Sequence, residues 1–414
     1  MFSPRTLLLS FFVISTVFLF ANRPTPASAE LTDDQIRYLE VFEKAFPRVE
    51  TPPTWEDYTA VDSYDSRYMG EALENDVKTV SNEKGGIAWG LSYKMLSLNN
   101  MYRATRDSKY LEANLRASEA VLAARDDKTG KPLFTGKIAP IWGCDLYAKS
   151  GRAAFAVHTG VIVFPILEFL DLAKQDQEFS AALGAKASAI LTGVTEALAF
   201  HDRQWQEGPV AGEGNYFALE QEEGLDYKVL PGNRLAAMGL AHWGVWKLNG
   251  SKLHEDRARA LANYIKNRLP VGEDGGYYWE YWLAKDPVSG TVERLEVNGE
   301  DTSHGGLTAS FPIRLAGEGF VFDRTDRERF ARTFLQGISS LGEGVMTPQI
   351  NGRVGIEPQG YVWGIARWLT LAAEEPEVRD RIKRFYLERV ASPHPLDLSL
   401  LILDRMAAAG ERKN

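Results

Sequence analysis

The chain has 414 residues, 44% of them hydrophobic and 25% charged, with a net charge of −9 at neutral pH and one cysteine, Cys144. That balance argues against a nucleic-acid partner, whose footprint would be a stripe of Lys and Arg, and a single cysteine rules out an internal disulfide. It does not exclude an anionic substrate, because a local pocket can oppose the global sign.

The first 29 residues read as a targeting segment. Residues 1–5 are a short basic start, 6–21 are almost wholly apolar, and Ala27-Ser28-Ala29 fits the small-x-small cleavage rule. Cleavage after Ala29 is expected, giving a periplasmic or secreted protein with no stable membrane insertion. Retention of the apolar run as an anchor is the rival. Removing 1–29 leaves 414 − 29 = 385 residues; since Arg5 and Arg23 are its only charges, the net becomes −9 − 2 = −11. No Pro/Ser/Gly linker or low-complexity tract follows, so 30–414 reads as one domain. Cys144 reads as a small buried hydrophobe.

Two kinds of helical stretch then alternate. Residues 33–46 give a first amphipathic, outer helix capped by Thr32 or Asp33. Residues 86–104 give a first inner helix, apolar on every face through Ile87, Trp89, Leu91, Met95, Leu98 and Met101; a helix apolar all round is a buried one. Further outer stretches fall at 108–124, 179–199, 252–268, 326–341 and 376–391, and further inner ones at 157–173, 232–247, 302–316, 359–373 and 395–408. Most inner stretches open on small or turn-forming residues, such as Val157-His158-Thr159-Gly160 and Thr302-Ser303-His304-Gly305. Twelve alternating helices are what a closed ring of six hairpins needs.

Connection lengths fix the polarity of such a ring. Inner helices reach outer ones by short turns at 105–107, 175–178, 248–251 and 374–375, which makes them antiparallel neighbours. The returns at 47–85, 125–156, 200–231, 269–301 and 342–358 are long. Long loops on a rigid scaffold carry function. The inner-helix N-termini point at that same end, where their positive dipole ends favour an anion.

This layout resembles the six-hairpin, (α/α)6-toroid superfamily of glycosidases, polysaccharide lyases and uronyl C5-epimerases. The phrases Ala88-Trp89-Gly90-Leu91-Ser92-Tyr93 and Tyr102-Arg103-Ala104-Thr105-Arg106-Asp107-Ser108-Lys109-Tyr110-Leu111 carry the likeness. It implies an all-α toroid with a glycan cleft. These phrases mark scaffold, so no catalytic residue follows from them.

The candidate site is read from the residues themselves. Asn298-Gly299-Glu300-Asp301-Thr302-Ser303-His304-Gly305-Gly306 ends a long loop and opens inner helix four, bringing two carboxylates and an imidazole together. Glu300, Asp301 and His304 are catalytic candidates, with His158 in the equivalent place on inner helix two. An N-cap with a packed histidine is the plainer reading of the segment. Asn233 and Arg234 open inner helix three, where an Arg suits a uronate carboxylate. Aromatics crowd the long loops: Trp142, Tyr147, Trp205, Tyr216, Phe217, Tyr227, Tyr277, Tyr278, Trp279, Tyr281 and Trp282, with Trp89 and Trp363 at inner-helix starts. Flat rings suit the apolar face of a sugar. Trp89, Trp142, Trp205, Tyr278, Trp279 and Glu357 join Arg234 and Asn233 as expected substrate contacts. His242 reads as a satisfied core histidine, and Asp126-Asp127-Lys128-Thr129-Gly130 as a turn. No GxSxG, HExxH, P-loop or GxGxxG pattern occurs in context, so no metal and no cofactor is expected.

The leading reading is glycoside hydrolysis by a general acid and base drawn from Glu300, Asp301, Asp145, Glu213 and Glu357. The close alternative is proton abstraction beside a uronate carboxylate, giving lyase or C5-epimerase chemistry, with His304 or His158 as base, a mouth tyrosine as acid and Arg234 as clamp. A non-catalytic glycan-binding or cell-envelope protein is the third. The sequence leaves oligomeric state and sugar open. Convergence of Arg234 with a His and a Tyr is the observation that favours the alternative.

Overall fold

A computed structural model describes residues 31–149, 151–219, 228–283, 299–342, 344–355, 357–358 and 360–410. The expected signal segment, Tyr227 and Gln359 lie outside these residues.

Six inner helices close a ring. They are α4 (Ser92–Thr105, preceded by a π-helical turn Ile87–Leu91), α6 (Ala156–Gln175), α8 (Gly232–Asn249), α10 (Thr302–Gly317), α12 (Ile365–Leu371, a 3-10 helix) and α14 (Pro395–Ala408). Each packs on the next in chain order, and α14 packs back on α4. The ring closes tightly because small residues sit where backbones cross. A Cβ at Gly160 on α6 would lie 2.7 Å from the Ala237 carbonyl carbon on α8, so only glycine permits that approach. Met95, Leu98, Phe169, Met238, Phe311 and Leu315 are fully buried between the inner helices and their outer partners. Among the described residues α6 is the one helix long and apolar enough to cross a membrane, and 94% of its apolar window is buried in this ring.

The outer layer is α5 (Lys109–Ala123), α7 (Ala185–Ala199), α9 (Lys252–Lys266), α11 (Arg324–Arg332, continued by a π-helical turn Thr333–Ile338) and α13 (Pro376–Arg389). The sixth outer place differs from the sequence reading. It is filled by α2 (Val61–Tyr68) and α3 (Glu71–Lys78), which pack on α14 and α5. About half of residues 47–85 is therefore helical, bent where Gly70 takes a positive φ of 57°. Helix α1 (Asp33–Ala45) begins with a capping box between Thr32 and Gln35. It lies outside α13, held by Phe42 against Phe385 and by the Glu43–Arg389 ion pair at 2.5 Å.

Helix α12 is the second departure, seven residues against the fifteen expected at 359–373. Gly360 and Gly364 sit at φ of 90° and 69°, so helical backbone cannot run through them and begins only at Ile365. The one sheet among the described residues is a hairpin, β1 (Trp205–Glu207) with β2 (Gly214–Tyr216), antiparallel with Trp205 opposite Tyr216. The segment read as a turn at 126–130 holds a helical turn, Asp126–Thr129, and Asp126 is buried against Arg152 at 2.7 Å. Cys144 is fully buried.

Candidate active site

The first turns of the inner helices face one end of the ring, and the sharpest group stands at α10. Asp301 is its N-cap, with extended backbone (φ −66°, ψ 153°), and its Oδ1 accepts from the His304 backbone N–H at 3.0 Å. Its other oxygen, Oδ2, lies 2.5 Å from His304 Nδ1. A carboxylate only accepts, so Nδ1 carries a proton and Nε2 is the nitrogen left facing away from Asp301. The anchorage is firm: Thr302 donates through its backbone N–H to Pro348 O (2.9 Å) and through its hydroxyl to Thr347 O (2.8 Å). The Asp301 side chain is 12% exposed, whereas that of His304 is 46% exposed. The plain capping reading and the site reading thus hold together, one oxygen for each.

Tyr281 and Arg234 complete the group. The Tyr281 ring stands edge-on to His304, centroids 5.3 Å apart. Its backbone carbonyl accepts from Gly232 N–H at 3.1 Å, which ties this loop to the start of α8. The Arg234 guanidinium lies close to the Tyr281 hydroxyl and acts on it electrostatically. Burial pushes the Tyr281 phenol above its ordinary range and Arg234 opposes this, so at neutral pH the group is a neutral O–H donor. Beside Arg234, Asn233 is buried, and its Oδ1 has no hydrogen-bond partner among the described residues.

His158 lies deeper. Its Nδ1 accepts from Asn82 Nδ2 at 3.2 Å, and Asn82 is locked by Trp142 O (2.9 Å) and Ala88 N–H (3.1 Å). Trp89, Tyr147 and Phe155 surround the ring at 5.2, 5.7 and 5.1 Å. Burial first, and the Arg234 charge second, bring His158 down to about 3. It is a neutral, sealed imidazole, better suited to shaping the wall than to taking a proton from substrate. On α4, Tyr93 lies under the Arg367 guanidinium (4.8 Å) and edge-on to His394 (6.0 Å), the N-cap of α14. Burial, then Arg367, brings His394 down to about 4.

The structure brings His304, Asp301, Arg234, Asn233, His158 and Trp89 to this end of the ring. It takes others away. Glu300 is fully buried: its Oε2 accepts from Trp279 Nε1 (2.5 Å) and Thr308 Oγ1 (2.7 Å) while Oε1 has no partner among the described residues, and burial raises its carboxyl well above the usual range. It cannot reach substrate, because the loop turns it under the helix end. Trp279 is sealed with it, and Trp142 is buried with its N–H on Val121 O at 2.6 Å. Trp205 packs between Tyr216 and Arg257 of α9, on the outer layer. The Tyr278 hydroxyl donates to Asp274 at 2.5 Å and its ring covers Gly272. Glu357 is exposed. Glu213 is buried in an ion pair with Arg268 at 2.9 Å. Four of the expected aromatic contacts are therefore packing, since rings on ordered loops bury first against their own scaffold.

Residue-level reading passed over Tyr93, Arg367 and His394. The signal for His394 was present, as it opens an inner helix just as His304 does. His242 is a satisfied core histidine, bonded to Tyr216 (2.5 Å) and His254 (2.7 Å).

No family model matches the chain, and no curated protein matches it. Solved structures do share its fold. An inactive variant of the alpha-1,6-mannanase of Salegentibacter sp. HEL1_6, in complex with alpha-1,6-mannotetrose, aligns over 86% of this chain and 99% of that one, at 11% identity and a TM-score of 0.51. An unsaturated glucuronyl hydrolase from Bacillus sp. GL1 aligns over 78% and 86% (14%, TM-score 0.49), and a D-mannose isomerase over 79% and 88% (11%, TM-score 0.48). At these identities the likeness is one of fold, and the fold is the (α/α)6 toroid.

Proposed function

We propose that this chain is a carbohydrate-active enzyme that moves a proton on a sugar beside a carboxylate, the chemistry of a uronate lyase or C5-epimerase. One observation carries the reading: Arg234 and Tyr281 meet the His304–Asp301 pair at the ring mouth. Arg234 pairs with the uronate carboxylate and draws electron density from C5. His304 Nε2 takes the C5 proton, and Asp301 holds the resulting imidazolium at Nδ1. Tyr281 supplies a proton, to the leaving glycosidic oxygen in elimination or to the opposite face of C5 in epimerisation. The apolar start at 1–29 is consistent with action outside the cytoplasm.

Hydrolysis by two carboxylates draws less support. Of its five expected carboxylates, Glu300 and Glu213 are sealed from solvent, and only Asp301 belongs to the constellation.

The test is incubation with uronate-containing and neutral glycans in D₂O. Deuterium at C5, or a new ultraviolet-absorbing unsaturated end, supports the reading. Reducing ends released from neutral glycans alone would refute it.

A further inference from the structure

The toroid axis is hollow beneath the mouth. A cavity of about 340 Å³ is lined by Tyr93, Gly306 and Arg367, within a turn or so in sequence of His394 and His304, and further along the helices by Glu168. Its walls are Leu240, Ile313, Leu400 and similar side chains from the inner helices. Gly160 and Glu168 of α6 line its two ends, and eight residues of helix rise give a depth of about 12 Å.

Most polar groups along this bore are already bonded to protein; Trp368 Nε1, which also lines it, has no partner among the described residues. Glu168 pairs with Arg103 at 2.9 Å and Arg314 at 2.5 Å. Arg103 also donates to Asn100 Oδ1 (3.2 Å), and Asn100 to Ser399 (3.1 Å). Ser310 returns its hydroxyl to Leu307 O at 2.6 Å. A space of this size with apolar walls offers water few partners and takes an apolar guest. Above it, Arg234 and the His304 pair suit a charged head.

We propose that the bore binds an alkyl chain attached to the sugar held at the mouth, so that the substrate is a uronide with an apolar aglycone. The head group rests on the uronate reading; the tail site does not. The Glu168–Arg103–Arg314 cluster stands across the far end, so the site measures chain length.

The experiment is calorimetric titration with alkyl glucuronides from methyl to dodecyl, and in parallel with alkyl maltosides, all below their micelle concentrations. Dissociation constants should fall by up to about fourfold per added methylene, from transfer of each CH₂ out of water. The gain should stop when the chain meets the Glu168 floor. Ser310→Phe, which plugs the bore, should abolish the length dependence and leave methyl glucuronide binding unchanged. Leu403 of α14 also lines the cavity, and Leu403→Ala, which enlarges it there, should move the plateau to longer chains. Melting curves confirm that both variants fold, and either one alone suffices. Affinity independent of chain length, or a length dependence untouched by both substitutions, overturns the proposal. Length-dependent binding with no preference for the glucuronide head keeps the bore and overturns the uronate reading. Tight methyl glucuronide binding without length dependence does the reverse.

Discussion

Asp301 holds two jobs in one carboxylate, and two substitutions separate them. Its Oδ1 caps α10 at 3.0 Å, and its Oδ2 holds His304 Nδ1 at 2.5 Å. Asp301→Asn keeps a good cap, since Asn and Asp rank together at that position. It also places an amide against Nδ1. An N–H there turns the imidazole to its other tautomer, with Nε2 protonated and no longer a base. Turnover should fall by about 10²–10⁴, the usual worth of general-base catalysis. Asp301→Ala removes the cap as well, at about 1 kcal/mol. Unfolding entropy of about 2.1 cal/mol/K per residue over roughly 380 residues converts that into about 1 °C of melting temperature. The measurements are initial rates of deuterium exchange or unsaturated product, and calorimetric melts on the same preparations. Asn should therefore lose rate at constant stability, and Ala should lose both. An Asn variant within a few-fold of the parent would show that the pair is a cap only.

Four further outcomes follow from the geometry. Arg234→Lys should cost about 10- to 100-fold in kcat/KM on uronates, the worth of one charge-assisted bond of about 1.5–3 kcal/mol, because a point charge does not reproduce the guanidinium fork; unchanged kinetics would remove Arg234 from the clamp. Tyr281→Phe should leave C5 proton exchange in D₂O while losing net turnover, and loss of both in parallel would place Tyr281 in positioning alone. The buried Glu300 carboxyl titrates above its ordinary value, so the folded state holds its proton more tightly and stability drains as pH rises past the ordinary glutamate range near ~4.3; Glu300→Gln should match the parent in acid and melt higher at alkaline pH, and a lower melt throughout would refute this. His158 and His201, brought down by burial to about 3 and about 4, and His242, held by burial well below its ordinary value, bind protons more readily when unfolded, so stability should be full above ~6.5 and fall with pH below it, by up to about 1.4 kcal/mol per unit for each; a flat profile of melting temperature from neutrality down to the carboxylate range would exclude it.

The ring was legible because its inner helices are apolar on all faces, a pattern no other helix in a soluble domain needs. The sixth outer place was not, because Val61–Tyr68 and Glu71–Lys78 are two turns each and carry one fully buried anchor apiece, Tyr64 and Leu73. Periodicity needs a longer window than that. At the site, His304, Asp301 and Arg234 were legible by position, since each opens an inner helix. Tyr281 stood only as one of five aromatics at 277–282. Which of them faces the mouth depends on the loop path: Tyr277 turns to Asp326 and Trp279 to Glu300, leaving Tyr281 with Arg234. No local pattern encodes that choice.

The sign of charge at the mouth bears on the reaction class. Inner-helix N-termini converge there with Arg234 and Arg367, and the latter two lower the proton affinity of His158 and His394. A glycosidase builds positive charge on the sugar in its oxocarbenium-like transition state, which such a field opposes. Proton removal beside a carboxylate builds negative charge instead, and fixed donors and cations stabilise it without reorganising. Burial of Glu300 strengthens the same bias, because a protonated carboxyl adds no negative charge beneath the mouth. The chain carries a formal net charge of −9, so the cationic mouth is a local reversal of the global sign. Glu300→Gln should therefore leave turnover nearly unchanged at neutral pH, while Arg367→Gln should lower it on uronates and raise the proton affinity of His394, visible as an NMR titration shifted toward neutrality. Arg367→Gln kinetics indistinguishable from the parent on uronates would show that the field of the mouth does not act on the reacting sugar.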